Sequence, residues 1–263
     1  NNITGEIKLP SSLKFLGADA FSFNNGISGQ LHLPDGLEII EYEPHRGVFG
    51  DTQLTGPLVL PSSLIRYGKL GFAGTTGTIV LPPKVDHVPE YAFSGSGCTR
   101  VQFHEGIKEI HRQAFDGSAL SGELVLPPNL KYIGGSAFWG AKISKIIFPE
   151  SLRVMGESHV FADCVYLTGT LELPNIARIP RNCFENCKNI TGLMIPENVE
   201  LIDERAFYGC SSISSIVCKG EVPPVVCENA FYGVNKDNFT VEVPAGCVEA
   251  YRQAPGWSEF KRF

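Results

Sequence analysis

Histidine and cysteine side chains are the residues in this chain whose types and spacing suggest chemistry. The string His104-Glu105 followed by His111 has the composition of a zinc metalloprotease motif, in which two histidines four residues apart share one helix face. Here the second histidine follows after seven residues, so the two side chains would not converge on a helix. Cys183 and Cys187 are spaced like half of a metal site, but no second half follows at a suitable distance. The spacing therefore predicts no bound metal.

A thiol nucleophile with a histidine base is the other enzymatic reading, and His159 with Cys164 would supply it. The position of this cysteine recurs, however, because Cys164, Cys187 and Cys210 each lie three residues after a phenylalanine. A recurring position in a repeat protein stacks into a column inside the fold, where apolar surroundings make a thiol unreactive. We therefore predict buried thiols, no catalytic residue and no cofactor.

The cysteine count leaves a second interpretation open. Eight cysteines in a secreted chain can form a disulfide framework, although the recurring position favours free thiols. Cys218 and Cys227 are the pair to test first for a bridge.

The cysteine position belongs to a two-part signature that is repeated along the chain. An apolar residue followed by proline closes a short alternating run, and a small residue followed by phenylalanine comes usually 11 residues later. The clearest copy is the stretch 120–140, LSGELVLPPNLKYIGGSAFWG. Successive prolines lie 21 to 27 residues apart, and a period of roughly 20 to 29 with this leucine pattern is typical of leucine-rich repeats. We predict about ten repeats over residues 1–243, the first truncated, and a capping segment over residues 244–263.

Each unit is predicted to contain a strand, a proline-led turn and a return segment. In LTGTLELP, Leu171 and Leu173 alternate with polar residues, which indicates a strand with one buried face. The return segment PPNLKYIGGSAF has irregular apolar spacing and a Gly-Gly pair, which favours short helical or irregular structure. The fold class is accordingly an α/β repeat: a right-handed leucine-rich-repeat solenoid with parallel strands on its concave face. Phe138 and its equivalents should form a buried column in the convex half, and Trp257 should belong to the cap.

Composition excludes several classes of partner. The net charge is −6 and the isoelectric point is near 5.6, so nucleic acid and anionic lipid are poor partners. No apolar run approaches the ~20 residues that a membrane-spanning helix requires. Longer spacing between Pro34 and Phe49 predicts a polar surface loop at residues 41–46, which is either a neutral insertion or a functional protrusion.

The candidate binding residues are those that point outward from the predicted strands on the concave face. Their types vary while their neighbours do not, and many are apolar, which is unusual for exposed strand positions. The alternative explanation is that valine and isoleucine simply favour strands. The candidate positions are Val59, Val80, Gln102, Val125, Ile147, Glu172 and Met194.

The motifs LPPNLKYIGGSAF and IPENVELIDERAFYGC are similar to the BspA-like, or treponemal, type of leucine-rich repeat, which occurs in surface proteins of Bacteroides and related bacteria. The closing VPAGCVEAYRQAPGWSEF also resembles the end of such proteins, with Cys247 in place of an expected serine. The resemblance implies a secreted or surface-anchored protein, with a signal or anchor expected upstream of residue 1. It also implies adhesion to host proteins or to other bacteria, and it does not identify the ligand.

Together these observations predict a non-catalytic extracellular solenoid that binds a protein or glycan on its concave face. The alternative is a structural spacer that displays an upstream domain and has no ligand of its own.

Overall fold

A computed structural model describes residues 3–41, 47–71, 74–237 and 239–263. Most repeats contribute a longer strand, a proline-led turn and a second strand of only two residues. Strands from successive repeats pair in parallel, which builds a solenoid of leucine-rich repeats. Phe72 and the expected loop at residues 41–46, apart from its first residue, lie outside the described residues.

The longer strands form what is called here the first sheet. They are β1 (Thr4–Gly5), β3 (Gly26–Gln30), β5 (Gln53–Pro57), β6 (Thr75–Thr76), β7 (Thr78–Val80), β9 (Arg100–Gln102), β11 (Ser121–Val125), β13 (Lys142–Ile147), β15 (Gly169–Glu172), β17 (Ile190–Ile195), β19 (Ser215–Cys218) and β21 (Val241–Glu242). Side chains alternate along each strand, so Leu124 is buried while its neighbour Val125 faces outward. Hydrogen bonding groups the strands as β1-β3-β5-β6, β7-β9, β11-β13 and β15-β17-β19-β21. The first sheet is therefore interrupted at three places among the described residues.

The return segments form a second sheet from strands of two residues each. They are β2 (Phe15–Leu16), β4 (Ile39–Ile40), β8 (His87–Val88), β10 (Glu109–Ile110), β12 (Tyr132–Ile133), β14 (Val154–Met155), β16 (Arg178–Ile179), β18 (Leu201–Ile202) and β20 (Val225–Val226). Strand orders are β2-β4, β8-β10-β12-β14 and β16-β18-β20. Among the described residues no return segment is helical, so the α/β class overstates the helix content. The predicted right-handed coil stays a prediction.

The return segments are extended because their backbone N–H groups donate to carbonyls of the neighbouring repeat rather than to carbonyls within the same segment. The Lys131 N–H donates to the Lys108 carbonyl of the previous repeat (2.7 Å), and the Gly134 N–H donates to the Ile110 carbonyl (2.7 Å). Tight turns close on either side, because Leu130 N–H bonds back to its turn proline three residues earlier. The segment between the turns is too short to form a helix. The first helical turn loses more conformational entropy than its single hydrogen bond compensates, and a short segment cannot add further turns.

The repeat phenylalanines form the predicted column through the interior. Neighbouring rings from Phe93 to Phe231 are nearly parallel in most pairs, with centroids 5.1 to 5.5 Å apart. Phe21 and Phe49 stack in the same way at 5.6 Å. Each ring therefore buries its faces on the rings of adjacent repeats, which makes this column the main link between repeats.

The cysteines form a second buried column. The thiols of Cys164, Cys187 and Cys210 each donate to the carbonyl of a phenylalanine in the previous repeat, at 3.1 to 3.2 Å. All eight cysteines are free, including the pair Cys218 and Cys227 that was the candidate for a bridge. The recurring cysteine thus satisfies a backbone carbonyl inside the solenoid.

Alkaline pH is expected to destabilise the fold through these thiols. Burial raises the pKa of Cys210 from 9.0 to about 12, so the folded chain keeps a proton that the unfolded chain releases. The resulting stabilisation is complete below pH 9.0 and is lost as the pH rises toward about 12. Each such thiol contributes a slope of up to about 1.4 kcal/mol per pH unit in that window.

Urea unfolding at several pH values across this window measures the slope. Cys210→Ala should decrease this slope by the equivalent of about one bound proton, which is about 1.4 kcal/mol per pH unit. Equal slopes for the two proteins would show that the thiol does not link pH to stability.

The C-terminal residues cover the last repeat. They contain the helix α1 (Val248–Gln253), after which the chain folds back. Tyr251, Trp257 and Phe260 are buried against Phe231 and one another. Within the described residues, no helix has the length and apolarity to cross a membrane.

Candidate functional site

The two histidines of the metalloprotease-like string, His104 and His111, form separate hydrogen bonds and do not converge. His104 accepts from the Gly106 N–H at Nδ1 (3.2 Å) and donates from Nε2 to the Pro82 carbonyl (3.0 Å). His111 pairs with Glu109 at 2.8 Å and stacks on a histidine of the preceding repeat. Both ring nitrogens of His104 are therefore occupied, and the two histidines do not share a site. Across the described ranges, no group of three or more His, Cys, Asp or Glu side chains could hold a metal ion.

The pairing of a histidine base with a thiol is also not formed. His159 Nε2 lies 3.7 Å from a Glu185 carboxylate oxygen, whereas the Cys164 thiol donates to the Phe138 carbonyl. Burial raises the pKa of Cys164 well above its usual value, which keeps the thiol protonated. The geometry therefore gives this cysteine a structural role.

The seven candidate binding positions are called here the outer row: six lie in strands of the first sheet, and Val59 lies two residues after the end of β5. Val59, Val80, Val125 and Ile147 are 69%, 53%, 56% and 37% exposed. Gln102 and Glu172 are exposed as well, and Met194 is half-buried. Four aliphatic side chains are thus held in contact with water on one face, which costs hydrophobic free energy unless a partner covers them.

Strand register brings the outer row together only in pairs. Val80 lies beside Gln102, Val125 beside Ile147, and Glu172 beside Met194. Interruptions of the first sheet separate one pair from the next. The sequence therefore places these residues on one face, but the structure divides that face.

Two of the interruptions are open clefts. The cleft between β9 and β11 has a volume of about 160 Å³, and the cleft between β13 and β15 has about 290 Å³. Ile147 and Glu172 stand on opposite sides of the larger cleft, and buried aliphatic side chains, including Leu167 and Leu171, form its floor. The larger cleft is close in size to the smallest typical ligand sites.

Sequence reasoning missed this cleft, although one signal for it exists. The repeat prolines Pro149 and Pro174 are 25 residues apart, whereas Pro127 and Pro149 are 22 apart. Two of the three extra residues lie between Phe161 and Pro174, in the segment that contains β15, and the third lies between Pro149 and Phe161. Here the strand pairing is interrupted.

A polar surface on the turns that follow the repeat phenylalanines is occupied by contacts between its own side chains. Trp139 Nε1 donates to Asp163 (2.6 Å), and Asn186 donates to the other oxygen of the same carboxylate (2.9 Å). Arg205 pairs with Glu185 at 2.6 Å. These contacts tie consecutive repeats together, so the surface is better explained as a structural network than as a site.

Comparison with known proteins gives the same architecture. The sequence matches the family model of the BspA type leucine rich repeat region, with six copies, over residues 45–168 and 157–244. No curated protein matches the sequence.

Solved structures resemble the chain mainly in fold. A leucine-rich repeat protein from Bacteroides ovatus has a TM-score of 0.64 and 20% identity, over 98% of this chain and 77% of that chain. The T. pallidum leucine rich repeat protein has 27% identity and a TM-score of 0.47, over 54% and 71% of the two chains. A leucine rich cell surface protein from Faecalibacterium prausnitzii has 17% identity and a TM-score of 0.47, over 99% and 82%.

The identity to the Bacteroides ovatus protein is low enough that this likeness concerns the fold alone. The family assignment comes from the repeat signature, which the family model matches over more than half of the chain. The columns of phenylalanine and cysteine and the parallel two-sheet coil are the physical form of that signature. The chain belongs to the family of BspA-type leucine-rich repeat proteins.

Proposed function

We propose that this chain is a non-catalytic binding module that recognises an extracellular protein through the outer row. The observation that carries the proposal is the exposure of Val80, Val125 and Ile147 in strands of the first sheet and of Val59 just after β5. Repeat proteins commonly use such extended surfaces to bind partners, because neighbouring repeats present side chains at regular intervals. A glycan is the alternative ligand class for this surface.

Protein is favoured over glycan by the chemistry of the outer row. Aliphatic side chains gain most from burial against other aliphatic or aromatic side chains, whereas the outer row contains no aromatic ring on which a sugar could stack. The location that goes with this proposal is the cell surface or the extracellular space. It rests on the family resemblance alone.

Binding of the purified chain to a panel of host matrix proteins, mucins and glycans tests the proposal. A Val125→Glu, Ile147→Glu double variant is measured beside the wild type after circular dichroism has established equal folding. These residues are neighbours in the register of β11 and β13, so two carboxylates placed there should repel each other and remove the apolar contact. We expect a protein partner to bind the wild type and to be lost from the variant.

Other outcomes lead to other functions. If neither protein binds any member of the panel, the chain is better described as a spacer that displays a neighbouring domain. If both bind a partner equally, the binding surface lies elsewhere than on β11 and β13.

A further inference from the structure

We propose that the cleft between β13 and β15 accepts an extended, basic peptide segment of the partner as an added strand. This inference rests on the proposed function, because it specifies how part of the partner is held on the same face. The open backbone edge, the apolar floor and the charges of the cleft support it.

The backbone edge is open because the hydrogen-bond ladder stops partway along the two strands. Thr168 N–H still donates to the Ser144 carbonyl (3.2 Å) at the start of the strands. In other repeats a later bond closes the ladder: Leu126 N–H donates to the Ile147 carbonyl, and Leu173 N–H donates to the Met194 carbonyl (3.2 and 3.0 Å). Among the described residues, no such bond joins the Phe148 N–H to the following strand.

A strand edge with free N–H and C=O groups is a template for another extended chain. In the cleft, two such edges face each other, because β13 and β15 belong to separate hydrogen-bonded groups and are not paired with each other. An extended peptide placed between them would supply donors and acceptors to both sides. This arrangement gains main-chain hydrogen bonds independently of the peptide sequence.

The apolar floor of the cleft favours a bound peptide that carries apolar side chains. Ile146, Leu167 and Leu171 lie in the lining and are almost completely buried. Side chains of an extended peptide alternate between faces, so every second residue would point toward this floor. The volume of about 290 Å³ suits a short segment rather than a folded domain.

The charges at the cleft favour a basic segment. Glu150 and Glu172 line the cleft and make no ion pair with any other described residue. Lys145, also in the lining, is already paired with Glu123 at 3.3 Å. The two free carboxylates therefore leave the cleft with a negative potential that lysine or arginine next to the apolar residue would complement.

The lining also argues against a sugar as the occupant. It contains no tryptophan or tyrosine, and Phe148 is directed against Phe161 in an edge contact at 5.7 Å. A sugar ring would therefore find no exposed aromatic face, while the backbone groups of the strand edges suit a peptide.

The test uses the full chain and a synthetic acetylated, amidated peptide of sequence TKVTVKT, labelled for fluorescence anisotropy. Two altered peptides are measured with it. One carries an N-methyl group on the central residue, which removes a main-chain donor and keeps every side chain. The other has glutamate in place of lysine. We expect the methylated peptide to bind about tenfold more weakly, as a lost hydrogen bond predicts, and the acidic peptide to show no binding.

A protein variant tests the position. Glu150→Lys should weaken binding of the basic peptide about fivefold, the effect of one exposed charge pair. The matched control is Glu105→Lys, because Glu105 occupies the same repeat position as Glu150 and lies outside the lining of this cleft. The control should bind as the wild type does.

The inference is overturned if the basic peptide does not bind, if the methylated peptide binds equally well, or if Glu105→Lys weakens binding as much as Glu150→Lys. Displacement of the peptide by a neutral oligosaccharide at lower concentration would also overturn it and make the cleft a sugar site. If a protein from the panel still binds the outer row in any of these cases, the proposed function stands and only the strand-addition inference fails. If the panel protein and the peptide both fail, both proposals fail.

Discussion

Replacement of Phe161 by alanine is expected to lower the free energy of unfolding by about 3–5 kcal/mol. Phe161 is fully buried and its ring lies 5.1 Å from that of Phe138 and 5.5 Å from that of Phe184. The substitution removes contacts on both faces of the ring and leaves a cavity in the middle of the column. Because each repeat is stabilised chiefly by its neighbours, the two halves of the solenoid should also become less tightly coupled.

Urea unfolding followed by circular dichroism measures this loss. Val154→Ala is the matched control, since Val154 is 52% exposed on the second sheet and should change stability by less than about 0.5 kcal/mol. A Phe161→Ala variant as stable as this control would mean that the phenylalanine column is not a main source of stability.

Replacement of Trp257 by alanine is the second change with a large expected effect. Trp257 is fully buried, contacts Phe231, Tyr251 and Phe260, and donates from Nε1 to the Pro224 carbonyl at 2.8 Å. Truncation removes this packing and leaves the carbonyl without its donor, so we expect a loss of about 3–5 kcal/mol. The loss should be greatest locally, because Trp257 joins the cap to the last repeat.

Hydrogen exchange measured along the chain tests the local character of this effect. Amides in β20 and β21 should exchange faster in Trp257→Ala, while those in β8 and β10 should change little. Trp139→Ala is the control, because Trp139 is 40% exposed and its indole bonds only to a surface carboxylate. If both tryptophan variants had the same effect, the cap would not have the special role assigned to it.

Much of the fold could be predicted because the repeat defines which residues are equivalent. The position of Phe138 in one unit predicted the burial of Phe161 and Phe184 in the next, and the structure confirms this. The recurring cysteine position likewise predicted free buried thiols such as Cys187. These inferences hold because a column of identical positions experiences nearly the same surroundings at every level of the solenoid.

The return segments could not be predicted in the same way. Their local sequence, such as that around Tyr132, is compatible with helical turns, and only the hydrogen bonds to the neighbouring coil make it a strand. Such bonds depend on residues about 23 positions away, as between Lys131 and Lys108, which local spacing does not reveal. The contribution of the neighbouring coil thus outweighs the weak local preference.

The candidate site was predicted in part. The alternation of residues around Val125 and Ile147 correctly predicted that both face solvent, but it did not reveal that the sheet is divided beside them. The separation of β13 from β15 follows from the path of the chain before β15, and periodicity alone does not determine that path. The role of the outer row in binding therefore stays a prediction.

A protein partner is expected to bind the exposed face of the first sheet and not the second sheet. The most direct test compares the affinity of the panel partner for Val125→Glu, Ile147→Glu with its affinity for Val154→Glu, Val225→Glu. Val154 and Val225 are similarly exposed, at 52% and 61%, but lie on the second sheet in β14 and β20. We expect at least about 100-fold weaker binding for the first variant, because buried apolar anchors dominate such interfaces, and a change within about threefold for the second. Equal losses in both variants, or wild-type affinity in the first, would contradict the account.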